Sequence, residues 1–109
     1  MIVYSNENIV ANNVKIADNF ISRLIGLMGK KSIGRNEGLL LMNCSSVHCF
    51  FMKFTIDVVY LSQDMHVIYK ETIHPWKVGK IVKKSSHVLE LAEGAARSVS
   101  IGDNLVFME

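Results

Sequence analysis

In the segment SSVHCFFMKFTIDVVYL, Ser45 to Leu61, a histidine and an aspartate sit among three phenylalanines, a methionine and several β-branched residues. A polar group taken out of water without a partner costs roughly 1–3 kcal/mol, and an unpaired charge costs more. His48 and Asp57 therefore have partners, or they face a cavity that holds water or ligand. Chemically the pair could act as acid and base, contribute to a metal site, or hydrogen-bond a bound molecule. Each has a plainer role as well. Asp57, between Ile56 and Val58 in a strand-like run, can accept from backbone N–H groups or pair with an arginine, and His48 can be a hydrogen-bonded core group.

Arg23 is the arginine in question. It lies three residues after Phe20 and four before Leu27, so on a helix it shares the apolar face and points inward. There its guanidinium either satisfies Asp57, Glu90 or strand-end carbonyls, or anchors an anion in a pocket. Other chemistries find less support. Ser45 and Ser46 lack a G-x-S-x-G elbow, and GLMGKKSIG lacks both the spacing of a phosphate-binding loop and a preceding strand. Cys44, His48 and Asp57 fall short of the four ligands a structural zinc takes, so no metal and no cofactor is expected. Met28, Met52 and the cluster of Phe50, Phe51 and Phe54 read first as core material. Met52 is kept with Arg23, His48 and Asp57 as a candidate lining of a binding pocket.

These residues need elements to position them. DNFISRLIGLMGK sets Phe20, Leu24, Leu27 and Met28 at helical spacing, with Asp18 as N-cap and Gly29 as C-cap, which predicts one short amphipathic helix. Before it lie two β-like runs, Ile2 to Tyr4 and Ile9 to Ile16, separated by Ser5, Asn6 and Asn8. LLLMN reads as a buried strand. Ile56 to Leu61 and His66 to Ile73 form a hairpin turning at Ser62, Gln63 and Asp64. HPWKVGKIVKKSS is a loop, HVLELAEG a strand, AARSVSIG a helical turn and DNLVFME a final strand. Six or seven strands with so few helices predict a mainly β fold. It would be a single compact antiparallel sandwich or barrel, jelly-roll-like, with one or two short helices.

With 109 residues the chain has the size of one domain, taken as residues 1–109. Half of it is hydrophobic, with a single proline, which excludes disordered and collagen-like classes. The net charge of +2 is near neutral. The one basic cluster, Lys77 to Lys84, reads as a solvated loop, and no nucleic-acid partner is expected. No window approaches the ~20 apolar residues that span a bilayer. MIVYSNENIV lacks the basic start and apolar run of an export signal, and Cys44 and Cys49 make neither a disulfide framework nor a common zinc pattern. A cytoplasmic chain with reduced thiols is the expectation.

Taken together, RLIGLMGK, EGLLL, HCFFMKFTIDVVYL, HPW, VLELAEG and IGD resemble, in order and spacing, the DUF192 family, also called UPF0127. The resemblance runs from about Ile9 to the carboxyl terminus. It implies a compact, mainly β domain with a short helix near its start, and it implies no reaction. The motif positions it marks are Arg23, Gly26, Leu27, Met28, His48, Phe51, Met52, Ile56, Asp57, Glu90, Gly94 and Asp103.

The leading expectation is a domain that binds a small polar ligand or a peptide segment in a shallow pocket, lined or supported by Arg23, His48, Met52 and Asp57. Gly26, Leu27, Met28, Glu90, Gly94 and Asp103 would be structural. The alternatives are a small hydrolase using His48 and Asp57 as acid and base, and a module offering a strand edge to a partner.

Overall fold

The computed structural model describes residues 1–19, 30–44 and 53–109. The expected helix, with Arg23, Gly26, Leu27 and Met28, and the segment holding His48 and Met52 lie outside those residues.

Eight strands are present among the described residues: β1 (Ile2–Ser5), β2 (Asn8–Ala11), β3 (Asn13–Ala17), β4 (Glu37–Leu41), β5 (Ile56–Leu61), β6 (Val67–Ile73), β7 (His87–Ala92) and β8 (Leu105–Met108), with a 3-10 turn at Ala95–Ser98. They form a three-stranded sheet, β2-β1-β8, and a five-stranded sheet, β3-β4-β7-β5-β6. The fold is mainly β and sandwich-like, and no barrel closes. No described helix is long and apolar enough to cross a membrane.

Two details differ from the expectation. The run Ile9 to Ile16 is not one strand. It breaks at Asn12, where the backbone N–H groups of Asn12 and Asn13 both donate to the Asn36 carbonyl at 2.9 and 3.0 Å, and the chain passes from one sheet to the other. The largely antiparallel pairing also has an exception, because β3 and β4 run parallel, Asn13 beside Glu37 through Ala17 beside Leu41.

The local chemistry explains most of the turns. Asn6 and Glu7 join β1 to β2 with φ of 50° and 71°, the doubly left-handed geometry of a tight hairpin. The β5–β6 turn uses Met65 at φ 69°, and the Ser62 hydroxyl there accepts from the His66 N–H.

Both central strands, β5 and β7, are buried along their whole length. Alternation along β5 sends Val59 and Leu61 to the core shared by the two sheets, with Val3, Leu40, Leu89, Leu91 and Leu105. Ile56, Val58 and Tyr60 go to a second cluster on the opposite face, with Leu41, Ile73 and Val88. Each such aliphatic side chain contributes roughly 1.5–3 kcal/mol on burial. The five-stranded sheet thus has apolar clusters on both faces, and a polar side chain on its central strands is cut off from water.

Candidate functional site

Asp57 occupies such a position. It is 6% exposed and, by alternation, lies on the same face of β5 as Val59. Its neighbour in register on β6 is Thr72, whose hydroxyl donates to Oδ1 at 2.9 Å. Its Oδ2 accepts two backbone N–H bonds, from Gly94 at 2.9 Å and Ala96 at 3.0 Å. The first N–H groups of a helical turn have no partner within the turn; Asp57 satisfies them from another strand, as an N-cap side chain would. Gly94 enters the turn at φ 88°, a conformation that side-chain-bearing residues rarely adopt. From β6, Lys70 Nζ donates to the Ala96 carbonyl at 2.9 Å. Donors and acceptors thus brace β5, β6 and the turn together.

Beside this brace opens a cleft of about 560 Å³ whose wall includes Asp57, Lys70, Glu71, Thr72, Glu93 and Arg97. Glu71 is already engaged, since its Oε2 accepts from the Tyr60 hydroxyl at 2.6 Å and from the Lys80 N–H at 2.9 Å. Two cations, Lys70 and Arg97, and a third carboxylate, Glu93, complete the polar wall. The arrangement suits charge-complementary binding. Three internal donors hold the Asp57 oxygens. No group of three His, Cys, Asp or Glu side chains among the described residues could hold a metal ion.

Glu90 is the counterpart on the other face. It is 3% exposed, lies in register with Leu39 and Val58, and its Oε1 has no hydrogen-bond partner among the described residues. Burial pushes its pKa up to about 8, so the folded chain carries it as a neutral acid at pH 7. Asp103 builds a loop instead. Its Oδ2 accepts from the Ser100 N–H at 2.9 Å and the Ser5 hydroxyl at 2.8 Å, and these bonds, the backbone one first, hold its pKa below the usual range.

Of the residues expected to line a pocket, Asp57 alone is described, and it forms part of a cleft wall. Arg23, His48 and Met52 lie outside the described residues, as do Gly26, Leu27 and Met28. Glu90, Gly94 and Asp103 are placed as above. Sequence reasoning passed over Lys70, Thr72, Glu93 and Arg97. The one available signal was parity: in VIYKETI, Lys70 and Thr72 share a face, which becomes informative once the register sets Thr72 opposite Asp57. It also passed over His87, buried on β7, whose Nδ1 accepts the Asn43 N–H at 3.0 Å.

Comparison with known proteins gives a consistent assignment. Residues 1–107 match the DUF192 family model, described as an uncharacterized ACR. A UPF0127 protein of Pyrococcus horikoshii is 32% identical over 111 residues, covering 96% of each chain. One from Pyrococcus furiosus is 33% identical over 97 residues, covering 84% of each. A crystal structure of a protein of unknown function from Novosphingobium aromaticivorans superposes with a TM-score of 0.84 at 16% identity, over 97% of this chain and 82% of that one. That last likeness is one of fold.

Proposed function

The chain belongs to the DUF192 family, also called UPF0127, and we propose that it serves as a binding domain for a small polar ligand carrying both charges, such as an amino acid or the end of a peptide. The observation that supports this reading is the cleft itself: Lys70 and Arg97 stand in the same wall as Glu93 and Thr72, on a brace held by hydrogen bonds from Thr72, Gly94 and Ala96 to Asp57. A ligand carboxylate would meet the two cations and a ligand ammonium would meet Glu93. The hydrogen-bonded backbone beneath these side chains reduces the ordering cost of binding. Asp57 acts through the backbone it holds and touches no ligand.

A panel of amino acids, dicarboxylates, polyamines and short peptides, scored by thermal shift and then calorimetry, tests it. Zwitterionic members should raise the melting temperature by mass action. Arg97→Gln, which removes a charge-assisted bond worth about 1.5–3 kcal/mol, should weaken that binding by at least tenfold with the fold intact. The reading fails if nothing in the panel binds, or if the ligand that binds is indifferent to both Arg97→Gln and Glu93→Gln.

A further inference from the structure

Between β6 and β7 the loop from His74 to Lys84 carries three exposed apolar side chains: Trp76 at 63%, Val78 at 61% and Ile81 at 86%. Interleaved with them are Lys77, Lys80, Lys83 and Lys84, all exposed, and there is no aspartate or glutamate from His74 to Ser86. Lone exposed hydrophobes are ordinary. Three of them alternating with four lysines in eleven residues make a compound surface, apolar and cationic at once.

The loop is fastened beneath that surface. Thr55 Oγ1 and His74 Nδ1 share a hydrogen bond of 3.0 Å. The Lys80 N–H donates to Glu71, and its ammonium stands 5.3 Å from the centre of the Tyr69 ring. Val82 packs against the cluster of Tyr60 and Ile73, Gly79 is buried, and the Ser85 N–H donates to the Val82 carbonyl. With Gly79 and Val82 turned inward, Val78 and Ile81 are left facing water. Trp76 sits at φ 67°, a left-handed conformation that costs a bulky residue free energy and that the fold nevertheless maintains at an exposed site.

We infer that this loop docks the protein on an anionic lipid surface. Tryptophan prefers the boundary between headgroup and acyl chain, valine and isoleucine gain by burial below it, and lysines lay their stems along apolar surface while their ammonium groups meet lipid phosphates. A single-stranded nucleic acid would use the lysines and stack on Trp76, but it offers Val78 and Ile81 nothing. The combination of aliphatic tips and positive charge is satisfied together by a negatively charged bilayer. Binding of this kind is peripheral and reversible, through a small inserted area and a few charges.

Trp76 is the only tryptophan, so its fluorescence reports the event directly. The intact protein is mixed with vesicles of phosphatidylcholine alone, or of phosphatidylcholine with phosphatidylglycerol, and followed by emission and co-sedimentation. The expected result is a blue shift and co-sedimentation with the anionic vesicles only, reversed at 1 M salt, where screening is complete within about 3 Å. Each lysine near the surface contributes about fivefold to partitioning, so Lys83→Gln with Lys84→Gln should lower it by roughly 25-fold. Ile81→Asp should abolish the blue shift and leave the melting temperature unchanged, because that side chain is already exposed. Three results would overturn the inference: no association with anionic vesicles, association unaffected by both Ile81→Asp and Val78→Asp, or tighter binding to a single-stranded oligonucleotide than to the vesicles in the same buffer.

Discussion

Glu90 makes the stability of this protein depend on pH in a way opposite to a surface carboxylate. Its ordinary pKa of 4.5 rises to about 8 in the folded chain. Below pH 4.5 both states hold the proton and burial costs nothing extra. Between 4.5 and 8 the unfolded chain releases the proton while the folded chain keeps it, so stability falls as pH rises, and it levels off above 8. At about 1.4 kcal/mol for each tenfold change in proton concentration the loss is on the order of 5 kcal/mol. Glu90→Gln keeps the shape without the charge, and its unpaired amide costs about 1–3 kcal/mol. Urea melts should therefore show the variant nearly flat between pH 5 and 8, and more stable than the parent at pH 8 by roughly 2–4 kcal/mol; parallel pH profiles for the two would contradict this account. At this scale the sequence was informative about which residues matter and less so about how. Asp57 stood out as a carboxylate in an apolar strand, yet its donors come from Thr72, Gly94 and Ala96, the last two 37 and 39 residues away, and no local pattern names them. Arg23 and His48, the other residues that stood out, belong to segments the described residues do not include.

The elements were easier to read where one stretch of chain carries its own reason. The hairpin expected over Ile56 to Leu61 and His66 to Ile73 is β5 and β6 to within a residue, because alternation, β-branching and a polar turn all agree there. The turn near Ala95 was also legible. The parallel pairing of β3 with β4 was not, since residues 18–36 separate them and periodicity says nothing about direction. Nor was the break at Asn12, which depends on the Asn36 carbonyl waiting across the gap. Gly94 gives this scale its test. A β-carbon there would meet Arg97 at 3.9 Å, ordinary contact, so any cost of substitution comes from the backbone at φ 88°. Gly94→Ala should lose about 1–2 kcal/mol in denaturant melts, and Gly94→Asn clearly less, because asparagine tolerates the left-handed region. Equal losses would point to a steric origin that the contacts do not support.

Across the whole molecule, the mainly β class followed from strand-like runs and few helices, and the division into a three-stranded and a five-stranded sheet required contacts between distant parts of the chain. The most distant of these is the pairing of β1 with β8, Ile2 beside Met108 and Ser5 beside Leu105, reinforced by Asp103 accepting from Ser5. That pairing orders events during synthesis. The edge of β1 stays open until β8 leaves the ribosome, so the smaller sheet, β2-β1-β8, is completed only after translation has passed residue 108. Unpaired edges invite association with other chains. A chain ending at Asn104 should accordingly be cut rapidly by protease and enter aggregates at temperatures where the longer chain is a stable monodisperse species; resistance equal to that of the longer chain would mean that β1 and β2 hold without their partner. The open edge of β1 thus persists until β8 has been made, and how long it lasts is set by where along the message the partner of β1 is encoded.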